Sequence, residues 1–477
     1  MSISSHNSDD NGNKPLSLSG MIWRAGLILL TLTIVCCSGL GYWQFTSRQQ
    51  ALAELNAIVA KVRAQNGPLT GDEIDAYYAI PAGDDDLTAE YLAAIRGFGN
   101  SILAPEHKQL PIVGNSNAVP TPGEDWELLP VAEEYLQRFQ PPLQALRDLA
   151  NRKGSVRYPV KLSDGAATLL PHLQQIRDAA RHLQLQYWVC RHRGDRAGAL
   201  ASLRGIVRAG ETLRGEPTFI SQLVRIAVFS LGVECTSDFL KHEQATAAEL
   251  ESLAELFAAV DFHPSLSIAM NGERAMAYST LQMKDLNQIQ PSGQGSLPLT
   301  GGLGTLMDLR PGDGAHLLAI ETEMVDAAEL PLAEAIDKFR AIEQRVKQMA
   351  TDEQRTLPWN RHVLALMLVP AVTNVADAFG RATSLLEGAQ AAVAVERYRL
   401  KHGDVPQTLA ALVPEFLPAV PTDPFTGGAM RYSVEEFSYA IYSVGPDKVD
   451  GGGVITAGQG RPPDIGVRIE RKAEPQP

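Results

Sequence analysis

An uncharged apolar segment near the N-terminus constrains this chain more than any other sequence feature. Residues 25–47 contain no charged side chain, and a helix of this length crosses a hydrocarbon core about 30 Å thick. Aromatic side chains concentrate at membrane interfaces, and three lie at the ends of the segment: Trp23, Tyr42 and Trp43. The sequence therefore predicts a disordered tail over residues 1–20 and a transmembrane anchor over residues 21–47.

A cleavable signal peptide is the alternative interpretation of the same segment. Such a peptide has a shorter apolar core and ends at a site with a small-x-small arrangement of residues. Only residues 37–41 approach this arrangement, so we favour an uncleaved anchor. Positive charges on the two sides of the segment are too evenly distributed to decide its orientation.

The composition bounds what the rest of the chain can do. The chain has 477 residues, of which 45% are apolar, so it can bury a large core in two or three units outside the membrane. Its net charge of −13 argues against affinity for nucleic acid, which requires a cationic surface. We therefore expect no nucleic-acid partner.

Most of the region between the anchor and residue 380 is predicted to be helical. In chain order we expect a helical segment with a Pro-rich connector (48–123), a helical-hairpin domain (124–285), a Gly/Ser/Pro loop (286–315) and further helices (316–380). An apolar helix near Trp359 is too short to cross a bilayer, and we expect it to be buried.

Three groups of polar side chains in this region have both a functional and a structural interpretation. The aspartates at 84–86 could bind a metal, but carboxylates before a helix favour its dipole and cap its N–H groups. Three histidines are ten residues apart, too far along a straight helix to share one ion: His172, His182 and His192. Four carboxylates could line a cleft, although such residues are usually exposed: Glu321, Glu323, Asp326 and Glu329. We favour the structural interpretation for all three groups.

The sequence carries no familiar catalytic motif. It contains no HExxH, GxSxG, Walker-type loop or paired CxxC, so sites that depend on these motifs are unsupported. Cys190 and Cys235 lie on separate predicted helices, where a disulfide and two buried free thiols both remain open. An enzyme would need a site assembled from residues that are distant in the sequence.

The C-terminal part changes from helical to strand periodicity. From residue 382 apolar residues recur at steps of three and four, and Gly403 can adopt the left-handed conformation that ends a helix. Five prolines between residues 406 and 424 then leave room for only one short helix. Beyond them, apolar residues alternate with polar ones on both sides of a Glu435-Glu436 turn, which predicts an antiparallel hairpin.

Five short motifs follow one another in this part of the chain: RYRLKHG, LAALVP, DPFTG, SVGPD and DIG. In this order they resemble the globular half of the major pseudopilin of type II secretion. The resemblance implies a small α+β module with an antiparallel sheet over residues 381–477. The whole chain also resembles bacterial single-pass membrane proteins with this C-terminal module. We expect an inner-membrane location, and the pseudopilin resemblance implies that most of the chain is extracytoplasmic.

The pseudopilin resemblance also implies a calcium site. In that family the loop after SxGPD and the aspartate of DIG surround a calcium ion, which carries over to Asp447 and Asp464, with the Val444 carbonyl as a third ligand. Oxygen donors on a Gly-rich loop suit calcium. The loop is longer here and Pro463 replaces a family acidic residue, so we add Asp450 from its proximity. The alternative is that Asp447 and Asp450 only form turns.

A filament subunit is not expected despite this resemblance. Gly20 and Met21 offer a junction of the kind that is cleaved in pseudopilins, but the fifth residue from Met21 is Ala25, where the family carries a glutamate. Most of the chain also separates the anchor from the C-terminal module. The chain therefore resembles a pseudopilin only at its C-terminal end.

These features together predict a mainly α-helical, membrane-anchored binding or scaffold protein without catalytic activity. Its partners would be the membrane and an unidentified envelope protein, and calcium would stabilise its C-terminal module. The alternative is an accessory component of a type II secretion or pilus-like system. A third interpretation is an enzyme with its site in the helical region.

Overall fold

The computed structural model describes residues 18–99, 105–116, 119–242, 244–282, 310–353, 372–455 and 464–470. The N-terminal helices of this part are α1 (Leu18–Ala64), α2 (Gly71–Tyr77), α3 (Thr88–Arg96), α4 (Leu129–Gln137) and α5 (Gln140–Leu149). The central helices are α6 (Pro171–His192), α7 (Arg196–Glu211), α8 (Phe219–His242), α9 (Ala247–Ala258) and α10 (His263–Gln282). The last helices are α11 (Arg310–Ala328), α12 (Leu332–Glu353) and α13 (Val372–His402).

A three-stranded antiparallel sheet lies near the C-terminus. Its strands are β1 (Arg431–Glu435), β2 (Ser438–Ser443) and β3 (Ile465–Glu470), in the order β1-β2-β3. Tyr432 pairs with Ile441 in the hairpin, and Ile441 pairs with Val467 on its other side. The predictions of a mainly helical chain and of an antiparallel hairpin at its C-terminal end are confirmed.

Helix α1 joins an apolar N-terminal part to a C-terminal part that packs on the protein. It ends at Ala64, and Asn66 follows in the left-handed conformation with a φ of 55°. Val62 packs with Leu69 and Leu318 of α11 in a small core of fully buried residues. The predicted anchor is therefore continuous with a helix that contacts the folded body.

The central helices form the predicted hairpins. Gly194 turns the chain between α6 and α7 with a φ of 71°, and Asp195 caps α7 by accepting a hydrogen bond from the Gly198 N–H at 2.9 Å. Helices α7 and α8 approach closely at Gly232, where a Cβ would lie 2.6 Å from Cγ2 of Val207. Packing in this region therefore depends on a small residue at the contact.

Helix α8 is, like α1, long and apolar enough to cross a membrane. More than half of its most apolar stretch is buried inside the protein. It also carries Arg225, which is fully buried and bound to Glu211 by two hydrogen bonds of 2.9 and 3.1 Å. A charged pair of this kind belongs to a protein interior, so α8 is a core helix.

The C-terminal sheet shares its core with the helices. Helix α13 packs against α8, α9 and α12 and also against β2 and β3. One cluster of buried apolar residues extends from Ile74 to Ile469. The predicted boundary at residue 381 lies within α13, so the module and the preceding helices are joined by a continuous helix.

Two predicted features fall largely outside the described residues. The helix near Trp359 is one, and the Gly/Ser/Pro loop over 286–315 is the other, except for its last residues. Those last residues are helical, because α11 begins at Arg310. The predicted end of the loop at residue 315 is therefore wrong. The proline at residue 311 does not prevent an earlier helix start, because a proline is tolerated in the first turn of a helix.

Candidate functional site

The N-terminal part of α1 has the most exposed apolar surface of the described residues. It has a mean hydropathy of 1.9, and none of its most apolar stretch is buried against the protein. Ile28, Leu30 and Ile34 are more than half exposed. Contiguous apolar surface of this kind marks a contact with a membrane or a partner. By length and composition this helix can span a membrane.

The aspartates predicted to bind calcium each accept hydrogen bonds from the loop after β2. Asp464 is buried, and its two oxygens accept from the N–H groups of Gly451 at 3.1 Å and Gly453 at 2.7 Å. Asp450 accepts from the Gly452 N–H at 2.9 Å and Asp447 from the Val449 N–H at 3.2 Å. These carboxylates therefore organise the loop backbone, as in the turn interpretation.

Asp423 of the DPFTG motif, which was not predicted as a site residue, holds the start of this loop. Its carboxylate accepts from the Phe425 N–H and the Ser443 hydroxyl, both at 2.8 Å, and from the Val444 N–H at 3.1 Å. The buried Val444 is therefore fixed through its N–H group. In the sequence, Asp423 stands directly before a proline in the DPFTG turn motif, and this position could have identified it.

The fit of this region to a metal is limited. Among the described residues there is no group of three or more His, Cys, Asp or Glu side chains that could hold a metal ion. Pro463 and the rest of 456–463 lie outside the described part. Calcium binding by Asp447, Asp450, Asp464 and Val444 stays a prediction.

A cavity of about 430 Å³ lies between the ends of α2 and α7. We call it the tyrosine cavity, and its polar lining includes Tyr77, Tyr78, Tyr91, Arg208, Glu211 and Arg214. Its volume lies in the range of cavities that hold small ligands, about 300–1,000 Å³. The sequence did not predict this site, because its walls come from segments more than a hundred residues apart.

A buried hydrogen-bond network supports one side of the tyrosine cavity. Tyr78 donates to Glu216 at 3.1 Å and accepts from the Tyr158 N–H at 3.0 Å. Glu216 is fully buried, and it also bonds to Ser221 at 2.5 Å and to Nε2 of His172 at 3.0 Å. Burial and the Glu216 carboxylate hold the pKa of Tyr78 well above its usual range. Tyr78 is therefore a neutral hydroxyl fixed in place.

Tyr91 differs from Tyr78 in having no such partner. Its side chain is only 4% exposed, yet its hydroxyl makes no hydrogen bond with any described residue. Burial raises the pKa of Tyr91 to about 12, while the charges of Arg208 and Arg152 act in the opposite direction. The Tyr91 phenol therefore stays protonated and lies within the field of two arginines.

His182, His192 and Asp86 each bond to a neighbouring group of the protein. His182 bonds to the Tyr135 hydroxyl at 2.8 Å, and His192 bonds to the Pro120 carbonyl at 2.9 Å. Asp86 accepts from the Thr88 N–H at the start of α3 at 2.9 Å. Each histidine therefore has its own partners, as the spacing along α6 predicts.

The two buried cysteines are free thiols. Burial raises the pKa of Cys190 to about 11 and that of Cys235 well above its usual range. Thiols of this kind stay protonated at neutral pH and are poor nucleophiles.

Glu321 is buried, so its interpretation as a surface carboxylate is wrong. It is 4% exposed, and one of its oxygens has no hydrogen-bond partner among the described residues. Burial raises the pKa of Glu321 to about 8, with a further contribution from Glu273 that Arg274 partly opposes. Burial likewise raises the pKa of Glu273. The helix turns Glu321 inward while its neighbours in the group face solvent.

The other three carboxylates of this group have polar partners at the surface. Glu323 pairs with Arg345, Asp326 pairs with Lys61 at 2.8 Å, and Glu329 accepts from Ser267. The Asp326 contact joins α11 to α1. These three residues therefore follow the structural interpretation.

Comparison of the chain with family models, with curated proteins and with solved structures gives no match. The resemblance to a pseudopilin therefore stays a prediction.

Proposed function

We propose that this protein is a membrane-anchored, extracytoplasmic binding or scaffold protein without catalytic activity. The observation that carries the proposal is the division of α1. Its apolar N-terminal part is exposed throughout, whereas its C-terminal part packs on α11. One helix thus joins a membrane-spanning length to the folded body.

The contacts of α1 support a body held at a defined distance from the membrane. Lys61 pairs with Asp326 at 2.8 Å, and Arg63 pairs with Glu73 at 2.6 Å, beside the buried Val62. Because a helix rises about 1.5 Å per residue, the step from residue 47 to residue 62 is roughly 22 Å. A scaffold that presents a surface near the bilayer benefits from such a stiff connection.

The absence of catalysis is proposed from the chemistry of the described groups. The phenols of Tyr78 and Tyr91, which line the tyrosine cavity, have raised pKa values and stay protonated. Burial raises the pKa of Glu321 to about 8, within the range of a general base, but Glu321 does not line this cavity. The buried thiols are also protonated. The inner-membrane location and the extracytoplasmic orientation are proposed from the resemblance of the C-terminal part to a pseudopilin.

Membrane fractionation tests the anchor. The full chain should resist extraction by alkaline carbonate, and removal of residues 1–48 should release a folded, soluble product. An arginine in the middle of the span costs about 2.5–3.5 kcal/mol, so Leu32→Arg should weaken insertion, whereas Gln50→Arg outside the predicted span should not. If the native protein is already soluble and its mature N-terminus lies near Leu40, the apolar segment is a signal peptide and not an anchor.

A reporter fusion tests the orientation. Alkaline phosphatase is active only after export, so a fusion after Pro477 should be active in intact cells. A fusion of a cytoplasmic fluorescent protein at the same position should be dark. The reverse pattern would place the body in the cytoplasm.

An accessory role in a type II secretion or pilus-like system is the second candidate. The observation that favours it is that a long helix, α13, packs on a three-stranded antiparallel sheet. The helix precedes the strands in the chain, as the order of the five motifs predicts. Crosslinking in intact membranes separates the two candidates. Capture of secretion components supports the accessory role, whereas capture of unrelated envelope proteins supports the scaffold.

A further inference from the structure

We propose that the tyrosine cavity binds a small organic carboxylate, which the Arg208 guanidinium and the Tyr91 hydroxyl hold by hydrogen bonds. This inference goes beyond the scaffold role and does not depend on the membrane anchor. It rests on two donors without acidic partners that line one cavity of ligand size.

The Tyr91 hydroxyl is the first of these donors. Tyr91 is 4% exposed and lines the tyrosine cavity, and its hydroxyl makes no hydrogen bond with a described residue. Tyr78, in the same cavity, has two partners for its hydroxyl. The Tyr91 hydroxyl is therefore available to a ligand at no loss of an existing bond.

Arg208 is the second donor. Its Nη2 atom donates to the Arg152 carbonyl at 2.8 Å, and no carboxylate of the described chain lies within ion-pair distance of it. Arg208 and Tyr91 both line the tyrosine cavity, and the charge of Arg208 acts to lower the pKa of the Tyr91 phenol. A guanidinium has five N–H groups in a planar fork that suits a carboxylate. Arg208 therefore retains donors for an anion beside Tyr91.

Arg214 adds positive charge at the rim of the cavity. It is exposed and forms no ion pair within the described ranges. Glu211 also lines the cavity, but its carboxylate is bound by the fully buried Arg225 and is thus neutralised. The positive charges near the two donors are therefore not cancelled by Glu211.

The remaining lining favours a monoanion with an apolar body. Asp84 faces the cavity and accepts only from the Ser155 hydroxyl, at 2.5 Å, among described residues. A second negative charge on the ligand, as in a phosphate, would meet repulsion from this carboxylate. Apolar side chains form other parts of the wall and can contact a hydrocarbon group: Leu87, Val156 and Ile268. A carboxylate on a small hydrocarbon body matches both features.

Ligand-observed NMR on the full chain in lipid nanodiscs tests this proposal, with phenylacetate as the probe and empty nanodiscs as the blank. Phenylacetate should show saturable binding, and phenyl phosphate and the uncharged phenylacetamide should bind at least about 10-fold more weakly. Arg208→Gln should weaken phenylacetate binding by about 10-fold or more, because it removes a hydrogen bond to a charged group. Tyr91→Phe should weaken it by about 3-fold to 10-fold, because it removes one hydroxyl.

Tyr91→Phe keeps the test decisive, because it removes a hydroxyl without a protein partner and should fold normally. Arg177→Gln is the matched control, since Arg177 is exposed on α6, outside the cavity, and its loss changes the net charge equally. The proposal is wrong if phenylacetate shows no saturable binding up to about 10 mM or if phenylacetamide binds equally well. It is also wrong if phenylacetate binding is unchanged in both cavity variants. A loss in Arg177→Gln as large as in Arg208→Gln would likewise reject it.

Discussion

Two buried glutamates of this protein have opposite surroundings. Glu216, between α7 and α8, is fully buried and bonds to Tyr78, Ser221 and His172. Glu321, on α11, is 4% exposed, and one of its oxygens has no partner in the described part of the chain. Burial of a polar group is unfavourable unless hydrogen bonds replace those to water. Hydrogen-bond partners, rather than burial alone, therefore decide whether such a residue stabilises the fold.

The largest expected effect tests Glu216. Glu216→Ala should destabilise the protein by about 3–5 kcal/mol, because it leaves several buried partners without an acceptor. Thermal unfolding of the full chain measures this change. Glu216→Gln keeps one acceptor oxygen and should lose less. If the alanine variant unfolds like the wild type, the network around Glu216 contributes nothing and the comparison fails.

Glu321 should behave in the opposite way. Its pKa of about 8 lies above the usual 4.5, so the unfolded state releases the proton first and stability falls as pH rises from about 4.5 to about 8. Glu321→Gln should therefore stabilise the protein by about 1–3 kcal/mol at pH 8 and by little below pH 4.5. Unfolding curves across this pH range measure the difference.

Glu323→Gln is the matched control for this pH series, because Glu323 lies on the same helix in a surface ion pair with Arg345. We expect it to change stability by less than about 1 kcal/mol at any pH. A Glu321→Gln variant that is less stable than the wild type at pH 8 would mean that a hydrogen-bond donor to this carboxylate lies beyond the described contacts.

The two tyrosines of the cavity extend the comparison to hydroxyl groups. Tyr78→Phe removes a hydroxyl with two partners and should cost about 1–2 kcal/mol. Tyr91→Phe removes one without a partner and should change stability by less than about 0.5 kcal/mol. Denaturant unfolding of both variants gives the two values. Equal losses would show that Tyr91 has a partner in the protein after all.

Asp464 is a third buried carboxylate, and its test depends on calcium. It already accepts two backbone hydrogen bonds, and we propose that calcium adds to them. At ten times its Kd a ligand of the folded state adds about 1.4 kcal/mol, and extracellular calcium modules often bind at about 0.1–1 mM. The full chain should therefore melt higher in millimolar calcium, and Asp447→Asn with Asp464→Asn should remove the gain. Magnesium is the control ion, and a melting temperature independent of calcium would leave only the turn-forming role.

Features that depend on neighbouring residues were accessible from the sequence. The uncharged stretch within α1, the end of α13 at Gly403 and the alternation in β1 and β2 follow from local periodicity and backbone preference. Gly403 has a φ of 87°, as its role at a helix end requires. These predictions succeed because a helix or a hairpin repeats its pattern every few residues.

Only the tertiary structure decided which side chains meet. Glu321 and Glu323 are indistinguishable in sequence, yet one is buried against α10 and the other pairs with Arg345 at the surface. Tyr91 and Arg208 lie more than a hundred residues apart and line the same cavity only because α3 and α7 both border it. The physical reason is that periodicity defines a face of a helix, whereas the partner of that face depends on how all the helices pack.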